Sequence, residues 1–317
     1  MGARSPAYRH TAAVNNPDNN RRATVTATYS QRMGLKLDDG TNVEARIKGK
    51  RLRPVCGDSV SVEALKNESD WLITKIHERR NELTRPNRQG RKEVLAANVD
   101  TVVVVAAVTP LTDWFIVDRY LCAAELMNVN SILVFNKIDL LRGHNLEIPE
   151  LEEFRKIGLA VIECSAESGK GVRKIRKQLS GQCSIVVGQS GVGKSSLINQ
   201  LTSESAQKTG EISGKSGEGR HTTVNSVMIP LVKGGTVIDS PGVRDYAPAL
   251  SASADAVHGF REIAAAAQYC RFANCRHLRE PGCAVKAAVE DDEISDRRYE
   301  SYKRVVNLTE QLNEDRY

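Results

Sequence analysis

A run of eight residues, Gly188 to Ser195, has the residue types and the spacing that bind the phosphates of a nucleotide. It reads Gly-Gln-Ser-Gly-Val-Gly-Lys-Ser and matches the pattern G-x-x-x-x-G-K-[ST]. The glycines let backbone N–H groups turn toward phosphate oxygens, and a following helix would add its N-terminal dipole. Lys194 then reaches the β- and γ-phosphates, and the Ser195 hydroxyl ligates Mg²⁺. We expect the nucleotide to contact Gly188, Gln189, Ser190, Gly191, Val192, Gly193, Lys194, Ser195 and Ser196.

A second motif addresses the base, because every nucleoside triphosphate offers a phosphate loop the same oxygens. Asn136, Lys137 and Asp139 form N-K-x-D. In such a loop the carboxylate accepts from the guanine N1–H and 2-amino group together, a bidentate pairing that adenine cannot offer. Asp139 would read the base, Asn136 would brace the loop and Lys137 would lie along the ring. Ser165 and Ala166 resemble the S-A-x loop whose backbone supports guanine O6.

Two elements downstream of the phosphate loop would complete a triphosphate site. Asp239 opens the run Asp-Ser-Pro-Gly, which resembles D-x-x-G: Asp239 would hold Mg²⁺ through water, and the Gly242 N–H would meet the γ-phosphate. Between them, residues 219–223 read Gly-Arg-His-Thr-Thr, and we assign the second switch ligand of Mg²⁺ to Thr223 rather than Thr222. In isolation, Asp-Ser-Pro-Gly also suits an ordinary turn, and Thr-Thr also suits the start of a strand. Five such elements, each expected at a strand end, favour a GTPase.

Hydrolysis needs a group that orients the attacking water, and many GTPases use a glutamine directly after D-x-x-G. That position is Val243 here, which forms no hydrogen bond through its side chain, so slow intrinsic hydrolysis is expected. His221 is the best local candidate to position water, because histidine is the commonest acid–base residue. A histidine in a polar loop can also be merely solvated, and both interpretations stay open.

A cysteine–histidine cluster near the C-terminus has the spacing of a metal site. It supplies three thiolates and one imidazole, enough for a closed tetrahedral group. Disulfide pairing would leave one cysteine over, and the four remaining cysteines are scattered singly, as in cytosolic proteins. We predict one structural zinc ion that supplies much of the folding energy of a small domain. Its ligands would be Cys270, Cys275, His277 and Cys283.

Charge and composition limit the possible partners. The net charge of +6 over 317 residues is small, but Arg46 to Arg53 carries five positive charges in eight residues, and a linker from Arg79 to Lys92 adds more. These charges can neutralise RNA phosphates, although a solvated, solubilising surface is the alternative. No run approaches the roughly 18 apolar residues that span a bilayer. The first 22 residues lack the apolar core of a secretory signal, so a soluble cytoplasmic protein is expected.

The elements expected around these motifs place them at strand ends. Short alternating strands in residues 23–85 predict a five-stranded OB-type barrel, with an SH3-like barrel as the alternative. In residues 96–250, apolar strands such as Val102 to Val108 alternate with amphipathic helices, as in a parallel sheet covered on both faces. The other segments are expected to be a disordered basic tail at 1–22, a linker at 79–98, a mobile loop at 205–220 and a helical zinc-binding domain at 251–317.

The order of the motifs is unusual. The guanine loops come first, at 136 and 165, then the phosphate loop at 188, then the switches at 223 and 239. Ordinary GTPases begin with the phosphate loop, so we predict a circularly permuted α/β P-loop GTPase domain, which is possible when the original termini lie close together. Both switch segments would then lead into the C-terminal domain, and loss of the γ-phosphate could move that domain directly.

This arrangement, over nearly the whole chain, resembles the RsgA (YjeQ) family of GTPases that depend on the small ribosomal subunit. The resemblance covers the barrel, the four nucleotide motifs and the cysteine–histidine knuckle. It implies a late maturation factor that binds the small subunit and its rRNA with GTP, hydrolyses GTP to GDP when the particle stimulates it, and then leaves. We expect it to act as a monomer, and the resemblance also supports His221.

Two other classes of function stay open. The chain could be a GTP-gated RNA-binding scaffold in which hydrolysis is incidental, and slow turnover that ribosomal particles do not stimulate would favour this. It could instead be a signalling GTPase that acts on a protein partner. Particle binding that survives neutralisation of the basic barrel would favour the second class.

Overall fold

The computed structural model describes residues 20–30, 32–49, 51–65, 71–87, 91–141, 147–209, 224–240 and 253–314. The strands within these ranges are β1 (Asn20–Tyr29), β2 (Met33–Leu37), β3 (Asn42–Ile47), β4 (Ser59–Ala64), β5 (Trp71–Ile76), β6 (Glu82–Pro86), β7 (Lys92–Ala97), β8 (Thr101–Ala107), β9 (Asn130–Asn136), β10 (Ala160–Glu163), β11 (Cys183–Gly188), β12 (Val224–Pro230) and β13 (Thr236–Asp239). The α-helices are α1 (Trp114–Leu126), α2 (Pro149–Lys156), α3 (Val172–Gln178), α4 (Lys194–Thr209), α5 (Arg261–Ala267), α6 (Ala284–Glu290) and α7 (Asp296–Glu314).

The first five strands close into a barrel. Their order is β1-β2-β3-β5-β4, and β4 pairs back onto β1. All neighbouring strands run antiparallel except β3 and β5, which are parallel. The barrel interior is filled by alternating apolar side chains that include Val25, Leu35, Val60, Val62 and Ile73. This confirms the predicted five-stranded barrel, and the exchanged positions of β4 and β5 agree with the OB type rather than with a simple meander.

The structure differs from the sequence prediction at four boundaries, namely 22, 85, 96 and 205. Strand β1 begins at Asn20, inside the expected tail, because Arg21 and Arg22 pair with β4. The expected linker at 79–98 is a hairpin of β6 and β7, so neither 85 nor 96 is a domain boundary. Its side chains Leu83, Leu95 and Ala96 are buried in the same core as the GTPase strands. Helix α4 continues to Thr209, past the start of the expected loop.

The central sheet has the order β10-β9-β8-β11-β13-β12, in which β12 alone runs antiparallel to its neighbour. Strand β8 is buried along its whole length, as predicted. Its residues alternate between two cores: Val102 and Val104 pack with Tyr120 of α1, whereas Val103 and Val105 belong to the core under α3 and α4. Helices therefore cover both faces, which confirms the predicted α/β architecture.

The barrel and the central sheet are hydrogen-bonded to each other. The end of β1 pairs antiparallel with β12, where Ala27 lies opposite Val227 and Thr28 lies opposite Ser226. The two units thereby form one continuous eleven-stranded sheet. Because backbone hydrogen bonds join them, the barrel has a defined position relative to β12 and its neighbour β13.

The C-terminal helices are attached to the GTPase domain by buried ionic side chains. The Asp118 carboxylate of α1 is 0% exposed and accepts from Arg297 Nη1 at 2.7 Å and from Arg298 Nη1 at 2.6 Å. Arg297 Nε also donates to Glu153 of α2, and Arg298 Nε donates to Glu262 of α5, each at 2.7 Å. Buried charges require such partners because desolvation is costly. This network fixes α7 to both α1 and α2.

Within the described ranges, none of the helices combines the length and the apolar character needed to cross a membrane. The seven cysteines all lie in these ranges, and none forms a disulfide. Cys56, Cys122 and Cys164 are core residues, and burial raises the pKa of each thiol to about 12. These three thiols therefore act as small apolar side chains.

Replacing Asp118 with alanine is expected to cost about 3–5 kcal/mol of stability, because Arg297 and Arg298 would lose their shared partner in a buried site. Urea unfolding monitored by circular dichroism measures this loss in the free energy of unfolding. The control is Glu152→Ala, which removes an exposed ion pair with Arg155 and should change stability by no more than about 0.5 kcal/mol. Equal midpoints for the two variants would contradict a structural role for the buried network.

Candidate nucleotide and metal sites

The predicted nucleotide motifs follow the carboxyl ends of neighbouring strands. Strand β9 ends at Asn136, β10 at Glu163, β11 at Gly188 and β13 at Asp239. These four strands are parallel within one sheet, so their ends lie along the same edge, the usual position of a ligand site in open α/β sheets. The structure therefore brings together segments that are separated by as much as 100 positions in the chain.

Asn136 joins three of these segments through one buried carboxamide, whose residue is 1% exposed. Its Nδ2 donates to the Val192 carbonyl of the phosphate loop at 2.9 Å. Its Oδ1 accepts from the Ala166 N–H at 3.0 Å. Both ends of the amide are satisfied, so its orientation is fixed and the three loops are held in one arrangement.

Lys137 fastens the phosphate loop from the other side. Its backbone has a positive φ of 63°, and its Nζ donates to the carbonyls of Thr109 and Gly191, each at 2.7 Å. The Asp113 N–H, at the start of α1, donates to Gln189 Oε1 at 3.2 Å. Sequence reasoning missed the loop from Thr109 to Asp113. Its position directly after the buried strand β8, at the same sheet edge, was the available signal.

Two glycines of the phosphate loop are required by close approach. Gly188 has φ 140°, and a Cβ there would lie 2.2 Å from the Val105 carbonyl oxygen. Gly193 has φ 92°, and a Cβ there would lie 2.4 Å from Asn136 Nδ2. The Lys194 Nζ donates to the carbonyls of Gly188 and Gln189, each at 2.8 Å, and so lies folded against the loop. Ser195 and Ser196 are exposed in the first turn of α4.

Asp139 carries a polar atom that the described residues do not satisfy. Its Oδ1 is buried and has no hydrogen-bond partner among them. A buried carboxylate oxygen without a donor is destabilising, so an incoming N–H donor would be favoured at this position. In the neighbouring loop, the N–H groups of Ser165 and Ala166 donate to Lys170 and Asn136. These two amides brace the loops themselves, which differs from the role expected for them toward guanine O6.

Asp239 ends β13 at this edge. Burial raises the pKa of its carboxyl, while the neighbouring Lys194 ammonium acts in the opposite direction. The next residue, Ser240, accepts a hydrogen bond at 2.9 Å from Ser226, the residue of β12 that lies opposite the barrel strand. The remaining predicted site residues, His221, Thr223 and Gly242, lie outside the described residues.

The cysteine–histidine group is assembled in space. The four ligand atoms of Cys270, Cys275, His277 and Cys283 lie within 4.8 Å of one another. His277 Nδ1 is 3.4 Å from Cys270 Sγ and 3.5 Å from Cys283 Sγ, and burial lowers the pKa of this imidazole, which favours the neutral ligand form. The Tyr299 hydroxyl donates to the His277 carbonyl at 2.6 Å. The group could hold a metal ion.

The predicted basic surface divides into two parts. Four cations between Arg79 and Lys92 form ion pairs with carboxylates of the same chain. Arg79 pairs with Asp58 and Glu82, Arg80 with Asp100, Arg85 with Glu93, and Lys92 with Glu82. The Arg79 side chain is only 15% exposed. The barrel residues Arg46, Lys48, Arg51 and Arg53 are exposed, and Lys50 lies outside the described residues. These pairs weaken the prediction that the segment from Arg79 to Lys92 adds to an RNA surface. The exposed cations of the barrel remain as the candidate RNA contacts.

A parallel sheet with N-K-x-D, a phosphate loop and an aspartate-ended strand at one edge, met in that order along the chain, defines a circularly permuted P-loop GTPase. The family model described as RsgA GTPase matches residues 76–248. The chain belongs to the RsgA GTPase family, as the sequence resemblance predicted.

Similar proteins cover nearly the whole chain. It is 36% identical over 301 residues to the small ribosomal subunit biogenesis GTPase RsgA of Alcanivorax borkumensis, spanning 92% of this chain and 84% of that protein. The RsgA of Mannheimia succiniciproducens is also 36% identical, over 299 residues, spanning 92% of this chain and 85% of that protein.

The crystal structure of YjeQ from Thermotoga maritima aligns with a TM-score of 0.68 at 28% identity, covering 92% of this chain and 98% of that one. YloQ, described as a circularly permuted GTPase, aligns with a TM-score of 0.70 at 25% identity, covering 95% and 98%.

Replacing Gly193 with alanine is expected to weaken GDP and GTP binding at least about tenfold, because the new Cβ would displace the Asn136 amide and with it the guanine loop. Binding of a fluorescent guanine nucleotide measures the loss. Gly181→Ala is the matched control, since Gly181 also has a positive φ of 74° but no atom within 4 Å of the added Cβ. If both variants bind nucleotide equally well, close packing between the two loops does not determine affinity.

Proposed function

We propose that this protein binds the small ribosomal subunit and hydrolyses GTP to GDP and phosphate there, late in the maturation of the particle. The observation that carries the nucleotide assignment is the Asn136 carboxamide, which ties the guanine loop to the phosphate loop. The small subunit enters the proposal through the relatives, which are named small ribosomal subunit biogenesis GTPases.

Guanine is selected by Asp139. Its Oδ1, which has no hydrogen-bond partner among the described residues, lies at the same sheet edge as the phosphate loop and would accept from guanine N1–H or the 2-amino group. Adenine presents an unprotonated N1 and no 2-amino group, so it would leave this carboxylate without a donor. A buried acceptor left without a donor pays its full desolvation penalty. The site should therefore bind guanine nucleotides much more tightly than adenine nucleotides.

The phosphates are held by the loop from Gly188 to Ser196, with Lys194 turning from the loop carbonyls to the β- and γ-phosphates. Ser195 and Thr223 would ligate Mg²⁺ directly, and Asp239 would hold it through water. The hard oxygens of these residues suit this ion, which would neutralise charge on the transferred phosphoryl group. The Gly242 N–H would meet the γ-phosphate, and His221 would position the attacking water.

The exposed barrel residues Arg46, Lys48, Arg51 and Arg53 would contact rRNA phosphates, since each can neutralise a phosphate and release counterions. We place the protein in the cytoplasm as a monomer, where it meets the particle. Val243 in the position of the usual glutamine supports slow turnover by the protein alone.

The Cys₃His group is assigned to zinc. Three thiolates and one imidazole form a closed tetrahedral set that soft, four-coordinate Zn²⁺ prefers, and they leave no open position for catalysis. The ion would therefore be structural and would hold the loop between α5 and α6 against α7.

GTP turnover by the wild-type protein is expected to rise at least about tenfold when purified small subunits are added, because the particle would order the catalytic loop. ATP should be hydrolysed negligibly under both conditions. Asp139→Ala should lose the preference for GTP while the protein stays folded, since the change removes the base-reading carboxylate. Phosphate release is the measurement.

Each alternative gives a different result in that assay. Turnover that small subunits leave unchanged would favour a scaffold in which hydrolysis is incidental. If Asp139→Ala keeps the preference for guanosine over adenosine nucleotides, the assignment of Asp139 to guanine recognition is wrong. Particle binding that persists after the four exposed barrel cations are replaced by glutamine would favour a protein contact over rRNA.

The purified protein is expected to contain about one zinc ion per chain, and Cys283→Ser should lose it and melt at a lower temperature, because the set would fall to three ligands. Elemental analysis by mass spectrometry identifies and counts the metal. Cys183→Ser is the control, since Cys183 is half-buried in β11 and belongs to no cluster of metal ligands in the described residues. Finding another metal in stoichiometric amount would reject zinc.

A further inference from the structure

Helices α5 and α6 pack side by side and leave a groove of about 580 Å³ on the C-terminal domain. Glu262 in its lining is largely buried, whereas Gln268, Tyr269, Asp291 and Glu293 are exposed at its rim. The rest of the lining is apolar and consists of Ala265, Ala266, Ala284, Ala287, Ala288 and Ile294. Methyl groups of this kind allow close approach of another chain and offer no polar partner themselves. None of the residues that line the groove belongs to a nucleotide motif.

Glu262, which lines the groove, has a carboxylate oxygen without a hydrogen-bond donor among the described residues. Its side chain is 10% exposed, and Oε1 accepts from Arg298 Nε at 2.7 Å. The second oxygen, Oε2, is buried and has no hydrogen-bond partner in the described part of the chain. A buried carboxylate oxygen without a donor is costly, so this position favours a ligand that brings an N–H or ammonium group.

The surroundings of the groove are acidic. Glu290, Asp291, Asp292 and Glu293 are consecutive and exposed, and none of them forms an ion pair with a described cation. Carboxylates of the hairpin, such as Glu82 and Glu93, are paired instead. Four acidic residues without an ion pair to a described cation, in a chain of net charge +6, would repel nucleic acid and attract cations.

We propose that this groove binds a lysine- and arginine-rich segment of another polypeptide. The aliphatic part of a basic side chain would lie on the alanine side chains of the lining while its cation meets Glu262, Asp291 and Glu293. Tyr269, which is 82% exposed at the rim, offers a ring face for a cation–π contact. RNA is disfavoured because its phosphates would face carboxylates. The inference is independent of nucleotide binding and adds a protein contact to the proposed rRNA contact of the barrel.

The test is fluorescence anisotropy of the full-length protein with a labelled peptide of alternating lysine and alanine. Wild type should bind saturably, and the triple variant D291N/E293Q/Y269S should bind about fivefold more weakly, since each exposed contact contributes little alone. The control D38N/E314Q removes the same charge at exposed positions outside the groove and should bind like wild type. GTP turnover should be the same for all three proteins, so a failure here is distinct from a failure of the proposed function.

Several outcomes would overturn the proposal. One is the absence of saturable peptide binding by wild type, and another is equal weakening by the control, which would indicate only net charge. Tighter peptide binding after deletion of residues 1–19 would show that the chain's own basic tail occupies the groove. Weaker binding of a labelled single-stranded RNA by the groove variant than by the control would assign the groove to nucleic acid.

Discussion

The nucleotide site depends on the buried carboxamide of Asn136. Its two ends satisfy groups from two other loops, which lie 56 and 30 residues further along the chain. Such a bond contributes only about 1 kcal/mol net, but a buried group left without its partner costs about 1–3 kcal/mol. The guanine loop therefore cannot separate from the phosphate loop without leaving Asn136 Nδ2 unpartnered, nor from the loop of Ala166 without leaving Oδ1 unpartnered. This interaction is spatial, so the order in which the chain visits the loops does not affect it, and the permuted connectivity leaves the site intact.

The permuted order does determine which flanking domains are connected to the switch segments. The sequence suggested that the switch segments could move the C-terminal domain directly. Asp118, however, holds Arg297 and Arg298 in a buried position on α1, so a movement of that domain must either carry α1 with it or expose paired charges. The barrel has a shorter connection: Ser240, directly after Asp239, is hydrogen-bonded to Ser226, and Ser226 lies opposite Thr28 of β1. Within the described residues, the barrel is thus joined through β12 to the start of the D-x-x-G segment.

Local patterns predicted most of the fold. The apolar run from Val102 to Val108 could only be a buried strand, and the alternating residues of 23–85 predicted the five barrel strands, although β1 begins three residues earlier, at Asn20. The β6–β7 hairpin could not be predicted in this way, because its arginines dominate the composition and their partners, such as Asp58 for Arg79, are distant in sequence. Asp118 was missed for the same reason, since one acidic residue in an apolar helix has no meaning until α7 is packed against it. For the site, the motif residues were predictable, but the bridging role of Asn136 and the contact of Lys137 with Thr109 follow from strand order in three dimensions.

The charge of +6 is a poor guide to partners once the pairing is known. The cations between Arg79 and Arg85 are paired with carboxylates of the chain itself, and of these pairs only that of Arg79 with Asp58 reaches the barrel, so they contribute little to an external field. Two exposed clusters of opposite charge lie on different domains: a positive one around Arg51 of the barrel and a negative one at 290–293 beside α6. Because salt screens exposed charges beyond about 8 Å at physiological ionic strength, each patch acts on the molecule that touches it rather than through the total charge. A chain of this kind can contact a polyanion with one end and a cationic surface with the other, and a particle built of both RNA and protein presents both.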